Sequence, residues 1–233
     1  MSEKVILAAD ELTLEQCLDL TRKIGPRLHA VKVHNVIDEH GPGVVAQLKE
    51  AGARRVWVDA KLHDIPNTVR LRARAIARSG ADIVTVHASG GIEMMKAAVE
   101  IGLGGLYDIF AITVLTSLSE EEVRLFHGQP SKVAVLYLAR LAKLAEVHGV
   151  VCSPQEVGIL AKRPELQGLE FVVPGIRSVG RDANDQQRIG TPAAAIKAGA
   201  TRLVIGRQIT KASNPLAALE ALEQEIAEAE AEL

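Results

Sequence analysis

Four charged side chains in the first third of the chain have types and spacing suited to electrostatic chemistry. Asp59 and Lys61 are two residues apart at the end of an apolar run, so on a β-strand they would point the same way. Asp64 follows just before Pro66, and Lys32 on a neighbouring run can supply a second ammonium group. Charges that are partly buried need partners. The spacing therefore predicts an array of alternating carboxylates and ammonium groups, although a surface ion-pair cluster is the ordinary interpretation of an isolated Asp-x-Lys.

The elements that would position this array follow a repeating pattern. Short, continuous apolar runs rich in Val, Ile and Leu occur eight times, each followed by a stretch with apolar residues at helical spacing. Such runs are typical of parallel strands buried on both faces. The pattern predicts an α/β fold, one (β/α)8 barrel domain over residues 1–233; a doubly wound open sheet is the alternative, but eight units in this length favour closure. Strands are predicted at 5–9, 30–33, 55–58, 83–87, 109–113, 149–152, 171–173 and 203–205; helices near 14–24, 44–51, 69–79, 92–101, 120–126, 132–148, 154–161, 191–198 and 215–230; and left-handed helix ends at Gly52, Gly80, Gly149 and Gly199.

Polar residues stand where most of the predicted strands end. The active sites of such barrels are built at the carboxyl ends of the strands, and phosphate usually binds the loops after strands seven and eight. The last two ends carry Gly175 and Gly206, which permit close backbone approach, and Arg177 and Arg207, which offer fork-shaped donors. The polar segment 178–190 is predicted to be a mobile loop that closes on the phosphate, with a passive surface loop as the alternative.

Composition limits the classes of partner and cofactor. Apolar residues make up 48%, charged residues 24%, and the formal net charge is −2, so no nucleic-acid-binding surface is expected. No apolar stretch approaches the roughly 20 residues needed to span a bilayer, so no membrane span is expected. Two cysteines outside any CxxC motif cannot form a disulfide framework, and the N-terminus has no signal-peptide pattern, so a cytoplasmic location is expected. No pyridoxal phosphate, thiamine or metal-binding pattern is recognised, so we expect no cofactor and no metal site.

The segment 59–68 gives the array a specific resemblance. Its sequence, DAKLHDIPNT, is similar to the signature of the orotidine 5′-monophosphate decarboxylase family, an Asp-x-Lys-x-x-Asp core followed by Ile-Pro-Asn-Thr. Further matching runs follow in order along nearly the whole chain: VHASGG (86–91), TVLTS (113–117), GVVCS (149–153), PGIR (174–177), DQQR (185–188) and VIGR (204–207). Any one of these runs would be weak, but together and in order they are a strong resemblance.

The resemblance implies a homodimeric enzyme of pyrimidine biosynthesis that converts orotidine 5′-monophosphate to UMP and CO2 without a cofactor. Lys61 would protonate C6, with Asp59 and Asp64 beside the substrate carboxylate and Lys32 keeping the array in register. Asp10 would hold the ribose, and Asp64 would act in the partner's site together with Thr68. The other substrate-binding residues that the resemblance implies are Ile65, Thr116, Pro174, Arg177, Gln186, Gly206 and Arg207.

The charge array suits this reaction physically. Loss of CO2 from C6 of orotate leaves a vinylic carbanion with no adjacent carbonyl to delocalise it, and most decarboxylases take their electron sink from a cofactor. An ammonium group at C6 can instead stabilise the developing charge and then supply the proton. A carboxylate beside the substrate carboxylate disfavours the ground state by like-charge repulsion, although the weight of that contribution is contested.

The sequence departs from the family pattern at two positions and leaves two alternative functions. The usual Lys-Val-Gly of the second strand is Lys32-Val33-His34, so an imidazole either reshapes the wall of the site or points outward, and Ala9 replaces a leucine before Asp10. Hexulose-phosphate synthases and keto-gulonate-phosphate decarboxylases share the Asp-x-Lys-x-x-Asp core, but they use magnesium and place an acidic residue where this chain has Lys32. A nucleotide-binding barrel without activity is the second alternative, and the complete charge array argues against it.

Overall fold

Eight parallel strands close into a barrel in the computed structural model, which describes residues 3–102, 107–178 and 190–233. The strands pair in chain order, and Val5 of the first lies opposite Leu203 of the last, which closes the barrel. The (β/α)8 prediction is confirmed, and the open-sheet alternative is wrong. The strands are β1 Val5–Ala8, β2 Ala30–Val33, β3 Val56–Leu62, β4 Ile83–His87, β5 Asp108–Ile112, β6 Gly149–Val151, β7 Glu170–Val173 and β8 Arg202–Ile205.

Helices surround the barrel and bury their apolar faces on it. The helix α1 shows how local sequence sets the boundaries, because the side chains of Thr13 and Gln16 reciprocally cap its first turn. None of the helices in the described ranges is long and apolar enough to cross a membrane. They are α1 Leu14–Ile24, α2 Asn35–His40, α3 Val44–Glu50, α4 Pro66–Arg78, α5 Ile92–Gly102, α6 Glu120–His127, α7 Ser131–Leu144, α8 Val157–Ala161, α9 Pro192–Lys197, α10 Arg207–Thr210 and α11 Pro215–Ala231.

A small apolar core fills the barrel interior beneath the strand ends. Trp57 and Phe110 meet there edge to face, with ring centroids 5.4 Å apart. The indole N–H of Trp57 donates to the Thr85 hydroxyl at 2.6 Å, so the polar edge of this buried ring has a partner. The interior cluster comprises Ile6, Ala8, Ala30, Trp57, Ile83, Phe110, Val172 and Val204.

The predicted glycine turns are confirmed at three of four positions. Gly52, Gly80 and Gly199 have φ values of 103°, 86° and 105°, which place them in the left-handed region after helices. Gly149 instead begins β6, where an added Cβ would lie 2.8 Å from a backbone oxygen of β7. The left-handed position of that connection is Glu146, with φ of 60°. The prediction at Gly149 was therefore wrong, because the glycine is needed for close approach of two strands.

Ion pairs cover the amino-terminal end of the barrel, opposite the predicted site. Arg55 donates to the carboxylate of Asp108 and, at 3.1 Å, to the backbone oxygen of Asp82. Arg202 pairs with Glu170 at 2.7 Å. These pairs join the starts of β3, β4, β5, β7 and β8, which fits the tendency of this end of a barrel to serve stability.

Candidate active site

A cavity of about 620 Å³ opens at the carboxyl ends of the strands. Barrel closure brings to its wall residues from both ends of the chain, because every strand points its carboxyl end the same way. The predicted site residues that line it are Asp10, Lys32, Asp59, Lys61, Thr116, Pro174, Arg177, Gly206 and Arg207.

One continuous chain of opposite charges runs along the cavity. Lys32 Nζ lies 3.0 Å from Asp10 Oδ1 and 3.1 Å from Asp59 Oδ2. Lys61 Nζ lies 2.7 Å from the same oxygen of Asp59. The Thr85 hydroxyl donates to the other oxygen of Asp59 at 2.8 Å. The side chains of Lys32 and Asp59 are each 8% exposed, whereas that of Lys61 is 40% exposed, so Lys61 presents its ammonium group to the cavity.

The charges of this array hold one another in the ionised state. Burial alone would raise the pKa of Asp59, but the ammonium groups of Lys32 and Lys61 outweigh it and lower that pKa. Burial would likewise lower the pKa of Lys32, yet the carboxylates of Asp59 and Asp10 raise it above its ordinary value. For Asp10, hydrogen bonds and the charges around it overcome burial and lower the pKa to about 2. Asp10, Lys32 and Asp59 are thus charged at neutral pH.

Lys61 reaches its place by a distortion of β3. Its φ is 46°, an unusual value for a residue with a side chain, and the pairing of β3 with β4 shifts register between Val58 and Leu62. Asp59 and Lys61 nevertheless contact each other in the same cavity, as their spacing predicted, although the strand between them is not regular.

The residues that follow the array in sequence lie outside the cavity of their own chain. Asp64 is exposed, and its Oδ1 accepts a hydrogen bond from the backbone N–H of Ile65 at 2.7 Å. Ile65 is 66% exposed, and Thr68 is half-buried in the first turn of α4. The structure does not bring these three residues to the charge array within one chain, and their assignment to a partner's site stays a prediction.

The part of the cavity where phosphate binding is expected has the predicted donors in part. Gly175, with φ of 73°, and Gly206, at the start of α10, line the cavity beside Arg177 and Arg207. Arg207 lies 4.0 Å from the carboxylate of Glu11. The predicted Gln186 and most of the predicted loop 178–190 lie outside the described residues.

Two contributors to the site, Thr85 and Glu11, escaped sequence reasoning, and the orientation of a third, His34, was left open. Thr85 donates a hydrogen bond to Asp59. The sequence feature that could have pointed to it is the single hydroxyl within the apolar run IVTVH. Glu11 lines the cavity and pairs with Lys211 at 3.1 Å, for which no sequence signal was evident. His34 turns into the cavity rather than outward, and its Nε2 lies 3.0 Å from Asp10 Oδ1.

Comparison with known proteins agrees with this geometry. A family model described as Orotidine 5′-phosphate decarboxylase / HUMPS family matches residues 3–222. The chain belongs to this family. It is 44% identical to an orotidine 5′-phosphate decarboxylase of Pseudoalteromonas translucida over 94% of each chain. It is 41% identical to one of Anaeromyxobacter dehalogenans, with 95% of this chain and 97% of the relative covered.

Solved structures from the same family share the whole barrel. An orotidine 5′-phosphate decarboxylase of Lactobacillus acidophilus superposes with a TM-score of 0.82 at 35% identity, covering 97% of this chain and 99% of that one. One of Pyrococcus horikoshii gives a TM-score of 0.79 at 28% identity, covering 96% and 99%. The described elements therefore form the same barrel as these two relatives, and the match covers nearly the whole of both.

Proposed function

We propose that this protein decarboxylates orotidine 5′-monophosphate to UMP and CO2. One observation carries the proposal: Lys61 shares the buried Asp59 carboxylate with Lys32 inside the cavity, and presents its own ammonium group there. Names of relatives at 41–44% identity support the same substrate. The whole chain, 1–233, is proposed to act as one catalytic barrel domain.

In the proposed reaction the bond between C6 and the carboxylate carbon breaks, and its electron pair remains on C6. The substrate carboxylate would lie beside Asp59, which its two cations keep ionised, so bound substrate would experience like-charge repulsion that ends when CO2 departs. The Lys61 ammonium would stabilise the developing carbanion and transfer a proton to C6. Lys32, nearly buried between two carboxylates, holds the positions of the charges and is not the donor.

The phosphate of the substrate would bind at the opposite end of the same cavity. Arg177 and Arg207 bring two guanidinium groups there, and Gly206 leaves the backbone at the start of α10 open to close approach. The predicted roles of Thr116, Pro174 and Gln186 in nucleotide binding belong to this proposal. A phosphate anchored away from C6 lets binding energy of the remote group assist the chemical step.

The arrangement around Lys32 favours this reaction over the magnesium-dependent alternative within the same family description. Lys32 Nζ lies between the carboxylates of Asp10 and Asp59, at 3.0 Å and 3.1 Å, where a divalent cation would have to bind. An ammonium group at that point repels such an ion and already neutralises its ligands. We therefore propose that turnover needs no metal and no cofactor.

The proposal includes a homodimer in the cytoplasm. Asp64, Ile65 and Thr68 follow the bulged end of β3 in sequence, and Ile65 is a large apolar side chain left 66% exposed. If a second copy covered these residues, Asp64 and Thr68 of the first copy would reach the cavity of the second.

The proposal is tested by following the absorbance of orotidine 5′-monophosphate with purified protein, before and after exhaustive EDTA treatment. We expect UMP to form at the same rate in both samples. Full loss of activity in EDTA that magnesium restores would favour the metal-dependent alternative. Tight binding of the nucleotide without turnover would favour the inactive barrel.

A further inference from the structure

The imidazole of His34 is held at both of its nitrogens. Nδ1 accepts a hydrogen bond from the backbone N–H of Asn35 at 2.6 Å. Nε2 lies 3.0 Å from Asp10 Oδ1. Because a nitrogen that accepts cannot carry the proton of the neutral ring, the proton is assigned to Nε2, which then donates to Asp10.

Asp10 is consequently fixed by two donors that both come from the β2 end. Lys32 Nζ lies 3.0 Å and 3.3 Å from its two oxygens, and His34 reaches Oδ1 from two residues further along. With its pKa lowered to about 2, this carboxylate only accepts hydrogen bonds at neutral pH. Two donors at fixed positions leave the carboxylate one orientation, with its remaining lone pairs available to the cavity.

We propose that His34 is a positioning residue that holds Asp10 in the orientation needed to accept hydrogen bonds from sugar hydroxyls of the substrate. The inference rests on the proposed function, because it assumes that the bound nucleotide places its ribose at Asp10. His34 acts through Asp10, and Asp10 touches the substrate.

The main competing interpretation is that His34 contacts the substrate itself, since its side chain is 38% exposed and lines the cavity. A double-mutant cycle separates the two, because a residue that acts through Asp10 has nothing to position when Asp10 is absent. The cycle compares kcat and KM of the wild type, His34→Ala, Asp10→Ala and the double variant with orotidine 5′-monophosphate.

We expect His34→Ala to lower kcat/KM about tenfold when Asp10 is present and less than about twofold in the Asp10→Ala background, as for loss of one hydrogen bond to a charged group. His34→Gln, whose amide can donate to Asp10, should recover most of the loss. His40→Ala removes the imidazole of the last residue of α2, which lies outside the cavity lining, and should leave both constants unchanged. Equal losses in the two backgrounds would overturn the proposal.

A measurement independent of turnover completes the test. The ¹⁵N shifts of the His34 ring in the folded wild type should report the tautomer protonated at Nε2, and Asp10→Ala should shift the Nε2 resonance. A ring protonated at Nδ1, or one unaffected by Asp10→Ala, would overturn the inference. Absence of UMP formation by the wild type would instead sink the proposed function, and the resonances would still decide whether His34 binds Asp10.

Discussion

At the scale of single residues, exposure separates the groups that support the charge array from the group that can react. Asp59 and Lys32 are almost fully buried and satisfy each other, so neither can move far or exchange protons readily with a bound molecule. Lys61 shares the same carboxylate oxygen but remains 40% exposed. A buried pair that loses one partner leaves a costly uncompensated charge, so replacing Lys32 should damage the fold as well as the chemistry.

A second prediction for a single residue concerns Arg207, at the other end of the cavity. Arg207→Ala should weaken transition-state stabilisation for the phosphorylated substrate by about 1.5–3 kcal/mol, since a charge-assisted contact is lost. The measurement is kcat/KM with orotidine 5′-monophosphate and with orotidine, which lacks the phosphate. Arg140→Ala, which removes an exposed arginine paired with Glu165, is the matched control. If Arg207→Ala lowered kcat/KM for orotidine as much as for orotidine 5′-monophosphate, Arg207 would not be a phosphate ligand.

At the scale of elements, β4 supports the bulged end of β3 through Thr85. Its buried hydroxyl accepts from the Trp57 indole and donates to Asp59, so it links the barrel core to the array. Thr85→Val keeps the shape but leaves the Trp57 indole N–H without its acceptor and Oδ1 of Asp59 without this donor. We expect a loss of about 1–3 kcal/mol in the free energy of unfolding, measured by urea denaturation, together with a lower kcat.

The control for that change lies at the other end of the barrel. Thr201 also hydrogen-bonds through its hydroxyl, to the backbone oxygen of Phe171 at 3.1 Å, but it does not contact the array. Thr201→Val should therefore change stability without changing kcat. An unchanged urea midpoint for Thr85→Val would show that its hydroxyl does not stabilise β3.

The element scale also shows what the sequence could and could not predict. Eight apolar runs were enough for the barrel, and a barrel gathers its strand ends, so nine predicted residues share one cavity. Helix α2 was missed because six residues are too few to establish a helical period. The bulge at Lys61 and the contacts of Thr85 and His34 depend on partners from other strands, which no local pattern encodes.

At the scale of the whole molecule, the proposed dimer predicts how much activity mixed dimers of two variants recover. If Asp64 acts in the partner's cavity, a mixed dimer of Lys61→Ala and Asp64→Ala subunits has one cavity with both defects and one with neither. Refolding the two inactive variants together should therefore restore about a quarter of wild-type activity, as random pairing of symmetric dimers requires. A mixture of Lys61→Ala and Asp59→Ala should stay inactive, because both residues line the cavity of their own chain and each cavity of the mixed dimer therefore carries one defect. Failure of the first mixture to recover activity would contradict the shared site.

The central claim, that Lys61 in this array carries out the decarboxylation, is tested most directly by Lys61→Ala. Asp59 keeps its contacts with Lys32 and Thr85, so the variant should fold, with an unfolding midpoint close to that of Lys49→Ala, a control at the far end of the barrel. An exposed lysine in a merely structural ion pair contributes about 0–1 kcal/mol to stability and little to rate. We predict that Lys61→Ala loses orders of magnitude in kcat/KM for orotidine 5′-monophosphate. Retention of more than about a tenth of the wild-type value, a loss below about 1.4 kcal/mol in transition-state stabilisation, would contradict the claim.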